Sequence, residues 1–144
     1  MIQVGIIGGA GYTAGELLRL LLNHSKASIN FVYSTSNAGN KVSKVHQDLI
    51  GSTELEFTNE INPEVDVLFL CLGHGNSKAF LETNQLSAKT KIIDLSNDFR
   101  LNADKNFIDK TFVYGLPELQ SDHINICKMA AKILQMAASK TGFS

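Results

Sequence analysis

The sequence predicts an α/β fold, a doubly wound and mostly parallel sheet with helices on both faces. Three observations favour this class. Short apolar runs typical of buried strands alternate with helical segments along the 144 residues. Alternation of this kind is typical of parallel sheets, because each crossover helix returns the chain to the same end of the sheet. The loops GGAGYT, STSNAG, GHGNS and SNDFR each follow a strand and are rich in Gly, Ser, Asn or His, so their shared edge should be the functional edge.

The predicted strands are short apolar or β-branched stretches bounded by turn-forming residues. They cover residues 3–7, 29–33, 54–57, 65–72 and 91–94, with a weaker candidate at 107–114. The first predicted helix is rich in leucine and ends at the polar segment Asn-His-Ser. The helices are predicted at residues 12–23, 42–50, 78–85 and 121–139.

Composition excludes several classes of function. The net charge of −1 offers no electrostatic attraction to nucleic acid or to an acidic membrane surface. No apolar run reaches the roughly 18 residues that a membrane span requires, and the N-terminus carries no basic leader. We therefore expect a cytoplasmic protein with a small-molecule ligand, without nucleic-acid or membrane partners.

The cysteines and histidines predict no metal site. The chain has two cysteines and four histidines, and their spacing matches no metal-ligand pattern. Cys71 lies inside the run VLFLCLG, which favours a small core residue over a nucleophile. Cys127 lies in a predicted helix and is interpreted as a plain thiol on a helix face.

The glycine loop between the first strand and the first helix is the strongest functional motif. Gly8 permits the tight turn, and Gly11 lets the backbone approach a pyrophosphate. The small Ala14, with Gly15 beside it, allows the helix to pack close to the sheet. The N-terminus of the helix then presents free N–H groups to the phosphates. A glycine turn without a ligand is the alternative, but the position between a strand and a helix favours a Rossmann-like dinucleotide site.

The end of the second predicted strand bears on the kind of dinucleotide. An NAD site usually places an acidic residue there to bind the ribose 2′-hydroxyl. The segment YSTSN contains no carboxylate, and none follows before Asp48. Its hydroxyls, with Lys41 and Lys44 nearby, would tolerate a 2′-phosphate, so the sequence favours NADP over NAD. A solvated loop is the alternative interpretation.

Several segments, in order along residues 2–126, resemble N-acetyl-γ-glutamyl-phosphate reductase, the NADP-dependent reductase of arginine biosynthesis. They are GGAGYTAGELLRLL, the SNAG loop with VSKVH, GHGNS, DLSNDFRL and VYGLPEL. Aspartate-semialdehyde dehydrogenases share the general glycine loop. The GYT run together with DLSNDFRL and VYGLPEL indicates the glutamyl-phosphate enzyme more narrowly.

The resemblance implies an oxidoreductase that converts N-acetyl-glutamyl 5-phosphate to the 5-semialdehyde. In that reaction a cysteine thiolate displaces phosphate, and the thioester accepts hydride from NADPH while a histidine acts as acid and base. The resemblance also implies binding roles in this chain. The pyrophosphate would be held by Gly8, Gly9, Ala10, Gly11, Tyr12 and Thr13. The adenosine end of the cofactor would face Ser36, and the cofactor would be bordered by Gly73, His74 and Gly75. Ser96 and Arg100 would lie toward the substrate.

Three of these assignments have structural alternatives. His74 is equally well explained as a loop histidine that lines the pocket. Arg100 is also suited to a salt bridge with Asp94 or Asp98. Residues 114–119 are also explained as a strand end and a turn without a binding role.

The chain departs from the family after residue 126. The family's catalytic cysteine follows GLPEL in an Asn-Pro-Gly-Cys segment that is absent here, and none of the four histidines matches the family's catalytic histidine. We therefore expect an NADP-binding domain at 1–126, an atypical helical tail at 127–144, no catalytic residue and no substrate domain. The tail is either native or the product of a frame slip.

The chain is expected to be a truncated and catalytically incompetent portion of the reductase. NADPH binding should be weak or absent, and no acyl phosphate should be reduced. Surface that a partner domain normally covers would favour a homo-oligomer. The alternatives are a stand-alone NADP(H)-binding module and a related enzyme such as the aspartate-semialdehyde type.

Overall fold

A computed structural model describes residues 1–100, 106–108, 110–113 and 115. The chain divides into two units, Met1–Ser96 and a second that begins at Asn97. The helix predicted at 121–139 and the GLPEL segment lie outside the described residues.

The first unit is built on five parallel strands. They are β1 (Ile2–Ile7), β2 (Ala27–Tyr33), β3 (Phe57–Thr58), β4 (Val67–Leu70) and β5 (Lys91–Asp94). Their order across the sheet is β3-β2-β1-β4-β5, and each is parallel to its neighbours. The helices are α1 (Tyr12–Leu22), α2 (Val42–Val45) and α3 (Asn76–Thr83), with a 3₁₀ turn at Gln47–Leu49.

The strand order accounts for helices on both faces of the sheet. From β1 the chain passes through α1 to β2 on one side, and from β4 it passes through α3 to β5 on the other side. Because crossovers between parallel strands are right-handed, two helices that cross in opposite directions lie on opposite faces. The predicted doubly wound parallel sheet is confirmed.

The core forms around β1 and β4, which pair at the centre of the sheet. All four residues of β4 are buried, because the strand is covered on both faces of the sheet. This explains why its sequence, VLFL, is apolar throughout. The helix α1 buries Ala14, Leu18 and Leu21, which share one face at the i, i+4, i+7 spacing. Full burial of one such leucine contributes about 1.5–3 kcal/mol.

Two glycines determine how β1 fits its neighbours. The register between β1 and β2 shifts at Gly5, where an added Cβ would lie 2.5 Å from the ring of Phe31. Gly8 has a φ of +78°, and an added Cβ there would lie 2.6 Å from the carbonyl oxygen of Cys71. The turn after β1 therefore requires glycine at position 8 for its backbone conformation and for space.

Several predicted boundaries differ from the structure by a few residues, and three of the differences have a local cause. The helix predicted at 42–50 is divided at His46, whose φ of −98° and ψ of 81° lie outside the helical region. The third strand is shifted to Phe57–Thr58, because Glu56 already forms an antiparallel bridge with Lys41. The helix α3 begins at Asn76 rather than at residue 78, directly after Gly75 in the left-handed conformation.

The strand predicted at 107–114 was wrong as a single strand. The second unit instead contains an antiparallel pair, β6 (Asn106–Phe107) and β7 (Lys110–Thr111). Ile108 between them has a φ of +56°, which interrupts an extended backbone. The rings of Phe99 and Phe112 stack with centroids 3.9 Å apart, so aromatic contact supplies local packing here.

Gly8→Ala should destabilise the fold much more than Gly51→Ala. Both glycines have a φ near +80°, so each substitution carries the cost of a left-handed alanine, about 1–2 kcal/mol. Only at position 8 does the new Cβ also meet a backbone oxygen, whereas nothing lies within 4 Å at position 51. Urea unfolding should therefore show an extra loss of about 2 kcal/mol for Gly8→Ala. Equal losses in the two variants would contradict this account of the turn.

Candidate functional site

The loops that follow β1, β2 and β4 lie at the carboxyl edge of the sheet, together with Leu95 and Ser96 directly after β5. Hydrogen bonds between strand ends hold them together. The bonds run from the N–H groups of Gly9, Cys71 and Leu95 to the carbonyl oxygens of Tyr33, Ile7 and Leu70, at 2.8, 2.8 and 3.0 Å. The chain crosses from β1 toward one edge of the sheet and from β4 toward the other edge. The crevice beyond the carboxyl end of β1 is therefore a topological switch point, the place where ligands of such sheets bind.

The glycine loop forms a tight turn with an exposed crest. The N–H of Gly11 donates to the carbonyl oxygen of Gly8 at 3.1 Å, and the N–H of Gly15 donates to Gly11 at 3.1 Å. No side chain caps α1, and Gly11, Tyr12 and Thr13 are exposed. Within the described part of the chain, the N–H groups of Tyr12 and Thr13 have no acceptor, which is the arrangement that binds anions at helix N-termini.

The sequence interpretation of Gly15 needs a correction. Gly15 was expected to bring α1 close to the sheet, but its missing side chain makes room for a histidine. An added Cβ at Gly15 would lie 2.7 Å from Nδ1 of His46. The close approach to the sheet occurs at the buried Gly9, where an added Cβ would lie 2.2 Å from Cγ1 of Val32. The two glycines therefore accommodate different neighbours.

His46 lies beneath the glycine loop, and sequence reasoning missed its contact there. Its side chain is buried, and Nε2 lies 2.8 Å from the carbonyl oxygen of Gly9. Because a carbonyl can only accept, the ring donates from Nε2. The ring also packs against Phe57, with centroids 6.4 Å apart. The sequence analysis included His46 only as the last residue of VSKVH and as no match for the family's catalytic histidine. A single buried histidine after a short helix carries no periodic signal that would reveal its contact.

The loop after β2 is ordered by Asn37 and by the edge of β3. The Nδ2 of Asn37 donates to Oγ of Ser36 at 3.0 Å and to Oγ of Ser34 at 3.3 Å. The N–H of Ser34 donates to the carbonyl oxygen of Thr58 at 2.9 Å. Ser36 is exposed at this loop, and no carboxylate lies between positions 34 and 37. The structure therefore places Ser36 at the functional edge, and its contact with adenosine stays a prediction.

The two lysines expected near this loop differ in their contacts. Lys41 forms an ion pair with Glu54, and this hydrogen-bonded carboxylate raises the pKa of the Lys41 ammonium. Its charge is therefore already partly compensated. The Nζ of Lys44 donates to Oδ1 of Asn40 at 2.9 Å, a neutral partner. Lys44 is thus the better placed of the two cations to meet a phosphate.

Asp94 at the end of β5 joins two of the predicted loops. The Oγ of Ser77 donates to Oδ1 of Asp94 at 2.6 Å, and Oγ of Ser96 donates to Oδ2 at 2.6 Å. Both serines are buried, so the carboxylate holds the start of α3 against the segment after β5. Sequence reasoning considered Asp94 only as a partner of Arg100 and missed this role.

The remaining predicted site residues fall in both units. Gly73, His74 and Gly75 form the exposed turn after β4. Ser96 closes the first unit, and its hydroxyl is engaged by the preceding carboxylate. Arg100 belongs to the second unit, where its N–H donates to the carbonyl oxygen of Asn97 at 3.3 Å. Their roles toward cofactor and substrate stay predictions.

Cys71 follows β4 and is half-buried. Burial, with a smaller contribution from the charge of Asp94, raises the pKa of the Cys71 thiol to about 12. Because the thiolate is the reactive form, this position favours packing over nucleophilic attack. That agrees with the interpretation from sequence.

The part of the chain that the structure describes contains neither a metal-binding cluster nor a helix that could span a membrane. In that part of the chain, no group of three His, Cys, Asp or Glu side chains is arranged to hold a metal ion. Among the helices that the structure describes, none is long and apolar enough to cross a membrane.

The parallel sheet, the glycine turn and the helix that begins at it define a dinucleotide-binding α/β domain. The chain belongs to the family described as semialdehyde dehydrogenase, NAD binding domain, which matches residues 3–126. The resemblance seen in the sequence motifs is therefore confirmed.

Two curated relatives carry the same name, N-acetyl-gamma-glutamyl-phosphate reductase. Those of Christiangramia forsetii and Flavobacterium johnsoniae are each 62% identical over 124 residues, which is 86% of this chain. The chain spans 37% and 38% of the length of these relatives. A solved structure of aspartate semialdehyde dehydrogenase with NADP from Candida albicans shares the fold, with a TM-score of 0.65 and 19% identity over 99% of this chain and 40% of that one.

Cys71 should react slowly with iodoacetamide at pH 8 in a Cys127→Ser chain. With a pKa of about 12, roughly one thiol in ten thousand is ionised at that pH, against about a quarter of ordinary cysteines. Alkylation followed by mass spectrometry should be at least ~100-fold slower than for free cysteine. Asp94→Asn should speed it by lowering the pKa, and urea should restore the ordinary rate. Fast alkylation of the folded chain would contradict the assignment.

Proposed function

We propose that this chain supplies the NADP(H)-binding portion of an N-acetyl-γ-glutamyl-phosphate reductase. The glycine loop carries the proposal, because its turn exposes the start of α1 at the switch point of the sheet. The sequence identity of 62% to the named reductases supports this reaction. The sequence identity to the aspartate semialdehyde dehydrogenase of known structure is only 19%.

Gly11 is the residue whose presence a ligand explains best. Its φ is −75°, which any residue adopts, and an added Cβ would make only ordinary contact, 3.4 Å from the carbonyl oxygen of Gly8. The turn itself therefore does not require glycine at this position. A pyrophosphate that approaches the N–H groups of Tyr12 and Thr13 does require it, since a side chain there would stand in the path.

The loop after β2 supports NADP over NAD. A carboxylate at this position would bind the ribose 2′-hydroxyl and repel a 2′-phosphate. The described loop instead offers the exposed Ser36, and Lys44 follows it. These groups would donate hydrogen bonds to a phosphate and partly neutralise its charge.

The residues of this chain bind and orient, while the nicotinamide cofactor supplies hydride when it is bound. The backbone of residues 8–13 would hold the pyrophosphate, the turn 73–75 would border the cofactor, and Ser96 and Arg100 would face the substrate. We assign these roles to a domain covering 1–126, followed by a tail at 127–144. The proposed reaction also needs a thiolate, and the raised pKa of Cys71 makes it unsuited to that role.

A stand-alone NADP(H)-binding module is the second candidate. The raised pKa of Cys71 favours it, because Cys71 is the one cysteine among the described residues and is unsuited to nucleophilic attack. Both candidates include weak NADPH binding, and neither assigns a nucleophilic role to Cys71. We further propose a cytoplasmic location and self-association into a homo-oligomer, which sedimentation velocity at several concentrations would measure.

Gly11→Ala should weaken NADPH binding at least ~10-fold without a loss of stability, because the new methyl group fills the phosphate approach but not the protein. Fluorescence titration gives the affinity, and urea unfolding gives the stability. Gly51→Ala is the matched control and should show the reverse, a loss of stability with unchanged affinity. Unchanged NADPH affinity in Gly11→Ala would refute the assigned phosphate site.

Ser36→Asp should lower the preference for NADPH over NADH by at least ~10-fold. The new carboxylate would repel a 2′-phosphate and accept from a 2′-hydroxyl. Ser52→Asp carries the same charge change at another exposed loop position and should leave the preference unaltered. Parallel titrations with the two dinucleotides measure the ratio. An equal effect of both substitutions would show that only overall charge matters.

A further inference from the structure

His46 is a buried polar side chain that contacts the glycine loop directly and that the proposed function leaves unused. It is 8% exposed, and its ring is held on two sides. Nε2 lies 2.8 Å from the carbonyl oxygen of Gly9. On the other side of the ring, Nδ1 faces Gly15, where an added Cβ would lie only 2.7 Å from it. A hydrogen-bonding group is therefore built into the underside of the loop.

The contact with Gly9 determines the direction of the next N–H group. In a planar trans peptide, the carbonyl of one residue and the N–H of the next point in opposite directions. The carbonyl of Gly9 points down to His46, so the N–H of Ala10 points away from it, toward the exposed crest of the loop. The N–H of Gly11 is used within the turn, so the N–H of Ala10 would join those of Tyr12 and Thr13 as donors to an anion at the start of α1.

The segment that carries His46 is held in place by contacts with α1, with Phe57 of β3 and within the segment itself. Arg19 on α1 forms an ion pair with Asp48, which lowers the pKa of the Asp48 carboxyl. The N–H of His46 donates to the carbonyl oxygen of Val42 at 3.0 Å, and the ring packs against Phe57. The imidazole is therefore held in place from its own segment and from two neighbours.

We propose that His46 is a positioning residue for the pyrophosphate of the dinucleotide. By donating from Nε2 to the carbonyl of Gly9, it holds the Gly9–Ala10 peptide with its N–H toward the phosphates. Gly15 is glycine because this ring occupies the space of its side chain. The inference rests on the proposed function, since it assumes that residues 8–13 bind a pyrophosphate.

The test compares a ligand that contains the pyrophosphate with one that lacks it. NADPH and adenosine 2′-monophosphate share the phosphorylated ribose, and only NADPH reaches the glycine loop. His46→Leu keeps the volume and removes the donor, His46→Gln restores an N–H donor, and Gly15→Ala displaces the ring. His24→Leu, at the opposite end of α1 near Lys26, is the matched control for loss of a histidine. Calorimetry on the full chain measures both affinities, and urea unfolding measures stability.

His46→Leu and Gly15→Ala should weaken NADPH binding at least ~10-fold and change adenosine 2′-monophosphate binding less than ~2-fold. His46→Gln should recover most of the NADPH affinity, and His24→Leu should leave both affinities unchanged. An equal loss of affinity for both ligands, or no loss for either, would overturn the positioning role. If His46→Leu fails to fold, Gly15→Ala provides the same comparison. No NADPH binding by the unsubstituted chain would overturn the proposed function, and this inference with it.

Discussion

The close pairing of β1 with β4 is the constraint on which the rest of the structure depends. The chain must turn sharply at the end of β1, against the backbone of Cys71, and only a residue without a Cβ and with a positive φ fits there. That turn starts α1 at the switch point of the sheet. The exposed N–H groups of Tyr12 and Thr13 follow from it, so one steric requirement at the centre of the sheet determines where an anion can bind.

The glycine loop is supported from below by side chains as well as by the sheet. Gly9 packs on Val32 of β2, and His46 binds the carbonyl of Gly9 while resting on Gly15. The same logic recurs after β4 and β5, where the Asp94 carboxylate accepts from two buried serines. Hydrogen bonds that involve buried side chains thus support the loops after β1, β4 and β5 and limit their conformations.

The sequence was sufficient to predict the sheet, because short apolar runs such as VLFL, bounded by turn residues and alternating with helical segments, are typical of strands covered on both faces. It also predicted which loops share an edge, since parallel strands align their carboxyl ends. It did not predict the ion pair between Lys41 and Glu54 or the burial of His46, because both depend on how segments far apart in sequence come together. The error at 107–114 has a local cause, the left-handed Ile108.

Gly8 and Gly11 illustrate two reasons for the same residue type. The fold requires glycine at position 8, whereas at position 11 the backbone and the neighbouring atoms would accept a side chain. The two positions should therefore be under different selection pressures. Under the proposed function, a descendant of this chain that lost dinucleotide binding would keep the first glycine and be free to replace the second, so the pair would distinguish inheritance of the fold from retention of the ligand.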